Sequence, residues 1–306
     1  MMLVFRARTA CRGLAATLVL AGSGPVAAAT VEETRTGLSI EVRAREIAPG
    51  EPLRLLVTSD VPLASLRGQF LSEEVFLLRD GRADDGRSWS GWTMVGLDQE
   101  PGPASIDLTG VLADGTPVPG TLAVTIRAKP FPEERLTVES KYVEPSPEAQ
   151  ERLEREREKL ARVYGTRREL PPAGAAFSRP VAGEPTAIFG TRRLYNGQPR
   201  SPHPGLDLRA GTGTPVRASG DGVVGLAQDL YYSGLTVIVD HGGGLFTIYA
   251  HLSRIDVEEG QAVSAGQFVG QSGATGRVTG PHLHWGAKIG DRPFDPAALL
   301  DPVLFE

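Results

Sequence analysis

Apolar residues spaced two apart, in short runs each soon closed off by glycine or proline, occupy nearly the whole of this chain. Side chains alternate faces at every residue of a strand but return only every 3.6 residues on a helix, so the spacing commits most of the sequence to β structure. Leu38, Ile40 and Val42 form one such run and Leu122, Val124 and Ile126 another, with turn signals at Ala48-Pro49-Gly50 and Asp114-Gly115. The 37 glycines and 24 prolines supply the breaks. At 306 residues the chain exceeds what one hydrophobic core usually organises, which predicts two domains.

One stretch departs from the pattern. Between Lys141 and Pro172 the composition turns to Glu and Arg, and the spacing predicts a helix from Glu148 to about Tyr164. Ser146 stands as its N-cap, Pro147 in its first turn and Gly165 beyond its end. Glu151 with Arg155 and Glu158 with Arg162 are four apart and would pair along it. Its apolar stripe, Leu153, Leu160 and Tyr164, is narrow, so the charge run reads as a solvated face, the alternative being a spacer that positions two domains. The expected fold is mainly β: an N-terminal immunoglobulin-like β-sandwich over 30–140, a charged helix and linker over 141–172, and a C-terminal all-β domain over 173–306. The first part holds no histidine, and Trp89 and Trp92 read as core rather than as a binding platform.

The first 29 residues read as a secretory signal. Arg6, Arg8 and Arg12 precede the apolar stretch Leu14 to Ala21, and Ala27-Ala28-Ala29 offers a small-residue cleavage site. The apolar stretch is too short to span a bilayer, so the mature protein is expected without a membrane span, in the periplasm or else secreted. Removal of the segment takes away Cys11, the one cysteine, and with it disulfides, thiolate metal sites and cysteine nucleophiles. A net charge of −5 leaves no footprint for nonspecific nucleic-acid binding.

All five histidines fall in the C-terminal part, four of them in three short motifs. In His282-Leu283-His284 strand alternation puts His282, His284, Gly286 and Lys288 on one face, and Leu283, Trp285, Ala287 and Ile289 on the other. The apolar set must face the core, which aims both imidazoles into a groove. In His203-Pro204-Gly205-Leu206-Asp207, proline and glycine disfavour a helix, so the His and Asp sit on a turn entering a strand and can converge on one ion. In Tyr249-Ala250-His251-Leu252, alternation groups His251 with Thr247 and Tyr249, opposite Phe246, Ile248, Ala250 and Leu252. His241 lies in a glycine turn, Asp240 to Gly244, and reads as solvated or turn-stabilising. Imidazole with carboxylate suits zinc, and three protein ligands leave a fourth position open for hydrolytic chemistry. Two histidines then remain as general base and as hydrogen-bond donor to a tetrahedral intermediate.

Taken together and in order, His203 to Asp207, Tyr249 to Leu252 and Gly280-Pro281-His282-Leu283-His284 resemble the three motifs of the lysostaphin/LytM-type zinc metallopeptidases that cut peptidoglycan. The run Asn196 to Pro202 and Ser272-Gly273-Ala274-Thr275-Gly276 are similar too, and the resemblance extends over Phe177 to Phe294. It implies one zinc ion held by His203, Asp207 and His284, with His251 and His282 as the catalytic pair. His282 is expected to take a proton from water and His251 to donate to the developing oxyanion, though the two roles are exchangeable. Many members follow the last histidine with an aromatic residue and Glu, where this chain has Trp285 and Gly286. The implied activity is an exported endopeptidase acting on peptidoglycan stem peptides, with a D-alanyl to diaminopimelate cross-link as the implied bond in a Gram-negative wall. A further cell-wall or divisome partner is left open. The N-terminal part and the helix resemble the accessory region of some Gram-negative members. A catalytically silent module that binds murein or activates an amidase is the alternative, against which stand all five retained site positions. A biotinyl- or lipoyl-like carrier, suggested by Gly220 to Val224 and Glu259 to Gly266, lacks a lysine at the hairpin tip.

Overall fold

The computed structural model describes residues 29–35, 37–80, 86–137, 145–168 and 177–305. The expected signal segment lies outside them except for Ala29, as do the compositional boundaries at Lys141 and Pro172. The first eight strands are β1 (Ala29–Arg35), β2 (Leu38–Ala44), β3 (Pro52–Ser59), β4 (Ser65–Phe70), β5 (Glu73–Arg79), β6 (Ser88–Met94), β7 (Gly102–Val111) and β8 (Pro117–Ile126). All pair antiparallel, in the order β1-β2-β3-β6-β5-β4-β7-β8. The runs spaced two apart supply the core: Leu38, Ile40 and Val42 from β2 meet Leu122, Val124 and Ile126 from β8. The sheet folds over far enough that a β-carbon on Gly120 of β8 would come within 3.1 Å of Leu38 and Ile40 on β2.

Trp89 and Trp92 are both buried. Trp92, with Met94, joins the core of the C-terminal part rather than its own, its ring 6.1 Å from Phe305. Polar contacts reinforce this seam. Arg54 donates to the Leu304 carbonyl at 2.8 Å, and Arg45 pairs with Asp295 at 2.6 Å while also holding the fully buried Glu51, which Lys129 contacts as well. Lone burial of Glu51 would be expensive; two cations offset it.

The linker contributes β9 (Glu133–Leu136) and α1 (Pro147–Tyr164). Ser146 accepts the Ala149 amide at 3.3 Å as the expected N-cap, and Gly165 ends the helix in a right-handed conformation. The ion pairs formed along the helix are Arg152–Glu156 and Arg157–Glu154, in place of the Glu151–Arg155 and Glu158–Arg162 pairs expected from spacing. Nor is the helix simply solvated. Tyr164, Leu160 and Val163 pack on Leu226, Ile238 and Phe246, with the Tyr164 and Phe246 rings edge to face at 5.3 Å. Arg152, Glu156 and Lys159 then reach down to Asp229, the Tyr231 amide and Glu259. A stripe too narrow to identify a partner suffices to bind one, because the charged rim finds counter-charges on the sheet.

The C-terminal strands are β10 (Pro185–Ala187), β11 (Arg192–Tyr195), β12 (Gln198–Pro199), β13 (Gly205–Leu208), β14 (Pro215–Arg217), β15 (Gly222–Leu230), β16 (Gly234–Asp240), β17 (Leu245–Ile255), β18 (Ala262–Val263), β19 (Phe268–Ser272), β20 (Leu283–Ile289) and β21 (Arg292–Phe294). The main sheet runs β10-β13-β20-β17-β16-β15-β18, with β21 beside β20, and β19 joining β14 to β17. Leu283, Trp285 and Ala287 are fully buried on its inner face, as their alternation requires. A separate small sheet sets β11 between β12 and β9, the latter pairing parallel so that Glu134 lies opposite Arg193. Among the described residues no helix is long and apolar enough to cross a membrane.

Candidate metal centre

Strand register brings the first group together. Asp207 on β13 is the direct cross-strand partner of His284 on β20, and His203 sits on the turn leading into β13. His203 Nε2 lies 2.9 Å from Asp207 Oδ1 and 3.1 Å from His284 Nδ1, and the last two atoms are 2.8 Å apart. His203 and Asp207 are buried and His284 partly so. Gly205 permits the arrangement, since a β-carbon there would lie 2.7 Å from the His284 ring.

Proton positions decide what this cluster can hold. His203 Nδ1 stands 3.0 Å from the Ile188 carbonyl, which only accepts, so Nδ1 carries the proton and Nε2 presents a lone pair. Burial pushes the His203 pKa down to about 4, leaving the ring neutral near pH 7. Burial would raise the Asp207 pKa, yet the imidazoles of His203 and His284 beside it outweigh this and hold the carboxyl far below the usual carboxylate range. His203 Nε2, Asp207 Oδ1 and His284 Nδ1 thus converge on one point, an arrangement able to hold a cation. Two imidazoles and a carboxylate, with the second nitrogen of His203 anchored to backbone, fit zinc.

His251 and His282 flank this group. Their rings are 5.0 Å apart between centres, and His251 is 5.9 Å from His284. His282 Nδ1 donates to the Gly280 carbonyl at 2.8 Å, and its Nε2 is 3.7 Å from Asp207 Oδ1. His251 Nδ1 donates to the Thr275 carbonyl at 2.9 Å. In both rings Nδ1 therefore carries a proton, and a neutral His251 leaves its Nε2 as an acceptor. Burial, with His284 and His282 adding to it, pushes the His251 pKa down to about 3.

The face expected for His251 is corrected. Tyr249 is fully buried, its hydroxyl accepting the Ser219 amide at 2.6 Å, and Leu252 joins the same core. Both can face inward because the register slips between β16 and β17 and His251 adopts φ +61°, a bulge that takes its ring out of the alternation. Contacts from elsewhere in the chain hold it there. The His251 amide donates to Ser233 O at 2.8 Å, and Gly234 at φ +62° packs so tightly on Thr275 that a β-carbon would lie 2.2 Å from its hydroxyl.

His241 stabilises its turn, as one of the two expected readings has it, but it is buried rather than solvated. Its Nδ1 donates to Asp221 O at 2.7 Å and its Nε2 meets the Thr247 hydroxyl at 2.7 Å, away from the other four histidines. Arg193 escaped the sequence reading. Its Nη2 donates to Asp207 Oδ2 at 2.9 Å, leaving Oδ1 for the metal side, and its Nε faces Glu134 of β9 at 3.4 Å. Alternation in β11 hints that Arg193 and Tyr195 share a face, but nothing local to them points to Asp207.

Residues 201–296 match peptidase family M23. Among characterised relatives, the peptidoglycan DD-endopeptidase ShyA of Vibrio cholerae is 49% identical over 116 residues, 38% of this chain and 27% of that protein. The DD-carboxypeptidase/endopeptidase Mpg of Neisseria meningitidis serogroup B is 44% identical over 101 residues, 33% and 23% of the two chains. The chain thus spans about a quarter of the length of these curated relatives. A solved Pseudomonas aeruginosa structure assigned to peptidase M23 aligns with a TM-score of 0.61 at 30% identity, covering 83% of this chain and 95% of that one. The chain belongs to peptidase family M23, the LytM-type group that the motifs resemble.

Proposed function

We propose that this protein is an exported, zinc-dependent endopeptidase that hydrolyses peptide cross-links of peptidoglycan, with the D-alanyl to diaminopimelate bond as its substrate. The observation that carries the reading is the convergence of three atoms able to ligate a metal, from His203, Asp207 and His284, beside two further histidines whose Nδ1 atoms are anchored to backbone carbonyls. Zinc held by those three residues would supply Lewis acidity for a scissile carbonyl and for a water near neutral pH. His282 Nε2, next to Asp207, accepts the proton of the attacking water while its Nδ1–H stays anchored on Gly280. The protonated ring then returns that proton to the leaving amine nitrogen. His251 orients water or shares the base role from the opposite side, its ring fixed by Thr275. Arg193 holds the second Asp207 oxygen and so fixes the direction of the first.

The test is digestion of purified sacculi with zinc-loaded protein and mass spectrometry of the released muropeptides. The expected products are uncross-linked stem peptides ending in D-alanine, with zinc and activity both lost in His203→Ala. Failure of the zinc-loaded protein to release any muropeptide sinks the reading.

A further inference from the structure

We infer that Arg277 recognises a free carboxylate on the substrate beside the bond to be cut, an assignment that rests on the peptidase reading above. Arg277 lies two residues beyond Thr275, the residue whose carbonyl anchors His251, and its own amide donates to Tyr232 O at 2.8 Å. Its guanidinium carbon is 4.5 Å from the centre of the Tyr232 ring and 4.7 Å from that of Tyr195. These rings belong to different walls. Tyr232 precedes Ser233, which binds the His251 amide, whereas Tyr195 lies on β11 two residues from Arg193, the partner of Asp207. Arg277 therefore reaches from the element that holds His251 to the strand that supports Asp207.

What the side chain lacks decides its role. Arg45, Arg152 and Arg193 each face a carboxylate. Arg277 is half-buried, yet among the described residues it forms no ion pair and its side chain donates no hydrogen bond. A partly desolvated cation without an anion is costly, and the two rings recover only part of that cost. Rings packed against a guanidinium take up its flat surface and leave the edge of N–H groups for a polar partner. Such an edge matches a carboxylate with two parallel hydrogen bonds, a geometry that lysine cannot offer. In the proposed cross-link the carbon bearing the amide nitrogen also carries a free carboxylate, so an anion would lie next to the scissile bond.

Two synthetic cross-linked peptides test this, each with an N-methylated scissile amide, one with the free carboxylate and one with a carboxamide in its place. Calorimetric titration into the zinc-loaded protein should show the free acid binding about tenfold tighter or more, the size of a partly exposed charge-assisted hydrogen bond. Arg277→Ala should abolish the difference by weakening the acid alone, with unchanged zinc content, and Arg277→Lys should restore a minor part of it. Equal affinities in the wild type, a preference that survives Arg277→Ala, or an equal loss on both peptides would overturn the assignment. The last result would make Arg277 a brace between the walls. Sacculus digestion reports separately on the peptidase reading, since a protein that prefers the acid but releases no muropeptide would sink that reading and leave only carboxylate recognition by Arg277.

Discussion

Replacing Arg193 by Met removes a cation that never touches the metal position, and it should nonetheless loosen zinc. Arg193 Nη2 and Asp207 Oδ2 meet at 2.9 Å with side chains only 13% and 10% exposed, so the bond is charge-assisted and poorly screened. Two effects compete. Without the guanidinium the carboxylate becomes more basic and a better electron donor, which favours zinc. Against this, a buried carboxylate with a freed oxygen must rotate toward water, chelate awkwardly or take a proton, and each outcome misdirects Oδ1. A hydrogen bond to a charged group contributes about 1.5–3 kcal/mol, and outer-shell partners of metal ligands commonly govern about 10–100-fold in affinity. Misdirection therefore wins, and Arg193→Met should bind zinc roughly 10–100-fold more weakly. Competition against a chromophoric chelator at pH 7.5 would measure it, with thermal unfolding of the zinc-free forms checking that the fold survives. Zinc affinity within twofold of wild type, or tighter, in a folded Arg193→Met protein would refute the reasoning.

His251→Ala and His282→Ala should each keep close to one zinc per chain by elemental analysis but lose about a hundredfold or more in muropeptide release. His241→Ala should leave zinc content alone and cost about 2–4 kcal/mol in denaturant unfolding, since it opens a cavity beside Phe177 and strips partners from Asp221 O and the Thr247 hydroxyl. Lys288 lies 4.2 Å from the centre of the Tyr164 ring, and burial pushes its pKa down to about 8 against the opposing pull of Asp291. The unfolded chain then binds more protons than the folded one from about pH 8 up to its unfolded value, so stability should rise across that window, by about 1–3 kcal/mol. Unfolding at pH 7.5 and pH 10 should show a smaller rise in Lys288→Met.

What could be seen in the sequence was whatever a strand's alternation or a cap's chemistry dictates locally. His282 and His284 share a face because Leu283, Trp285 and Ala287 must be buried, and Ser146-Pro147 announces a helix wherever the chain goes next. His251 was legible as a residue but not as a position. Its backbone conformation depends on Ser233 and Thr275, and alternation alone would have sent its ring into the core with Tyr249. Arg193 and β9 were hidden for the same reason. Glu133 to Leu136 has one apolar residue and no amphipathic pattern, and it becomes a strand because β11 lies alongside to pair with it.

The parallel pairing of β9 with β11, together with the seat of α1 on β15, β16 and β17 of the main sheet, bears on how such a protein can be recombined. The obvious place to cut is the compositional break near residue 141, yet that cut parts Glu134 from Arg193 and leaves half of a two-piece support behind. A donor domain grafted there would have to supply a matching strand in the same direction and register. The workable crossover lies upstream, between the end of β8 at Ile126 and the start of β9 at Glu133, so that β9 travels with the metal centre it supports and α1 with the sheet it packs on. Even then Trp92 and Met94 must find an equivalent in the incoming domain, or Phe305 is left facing solvent.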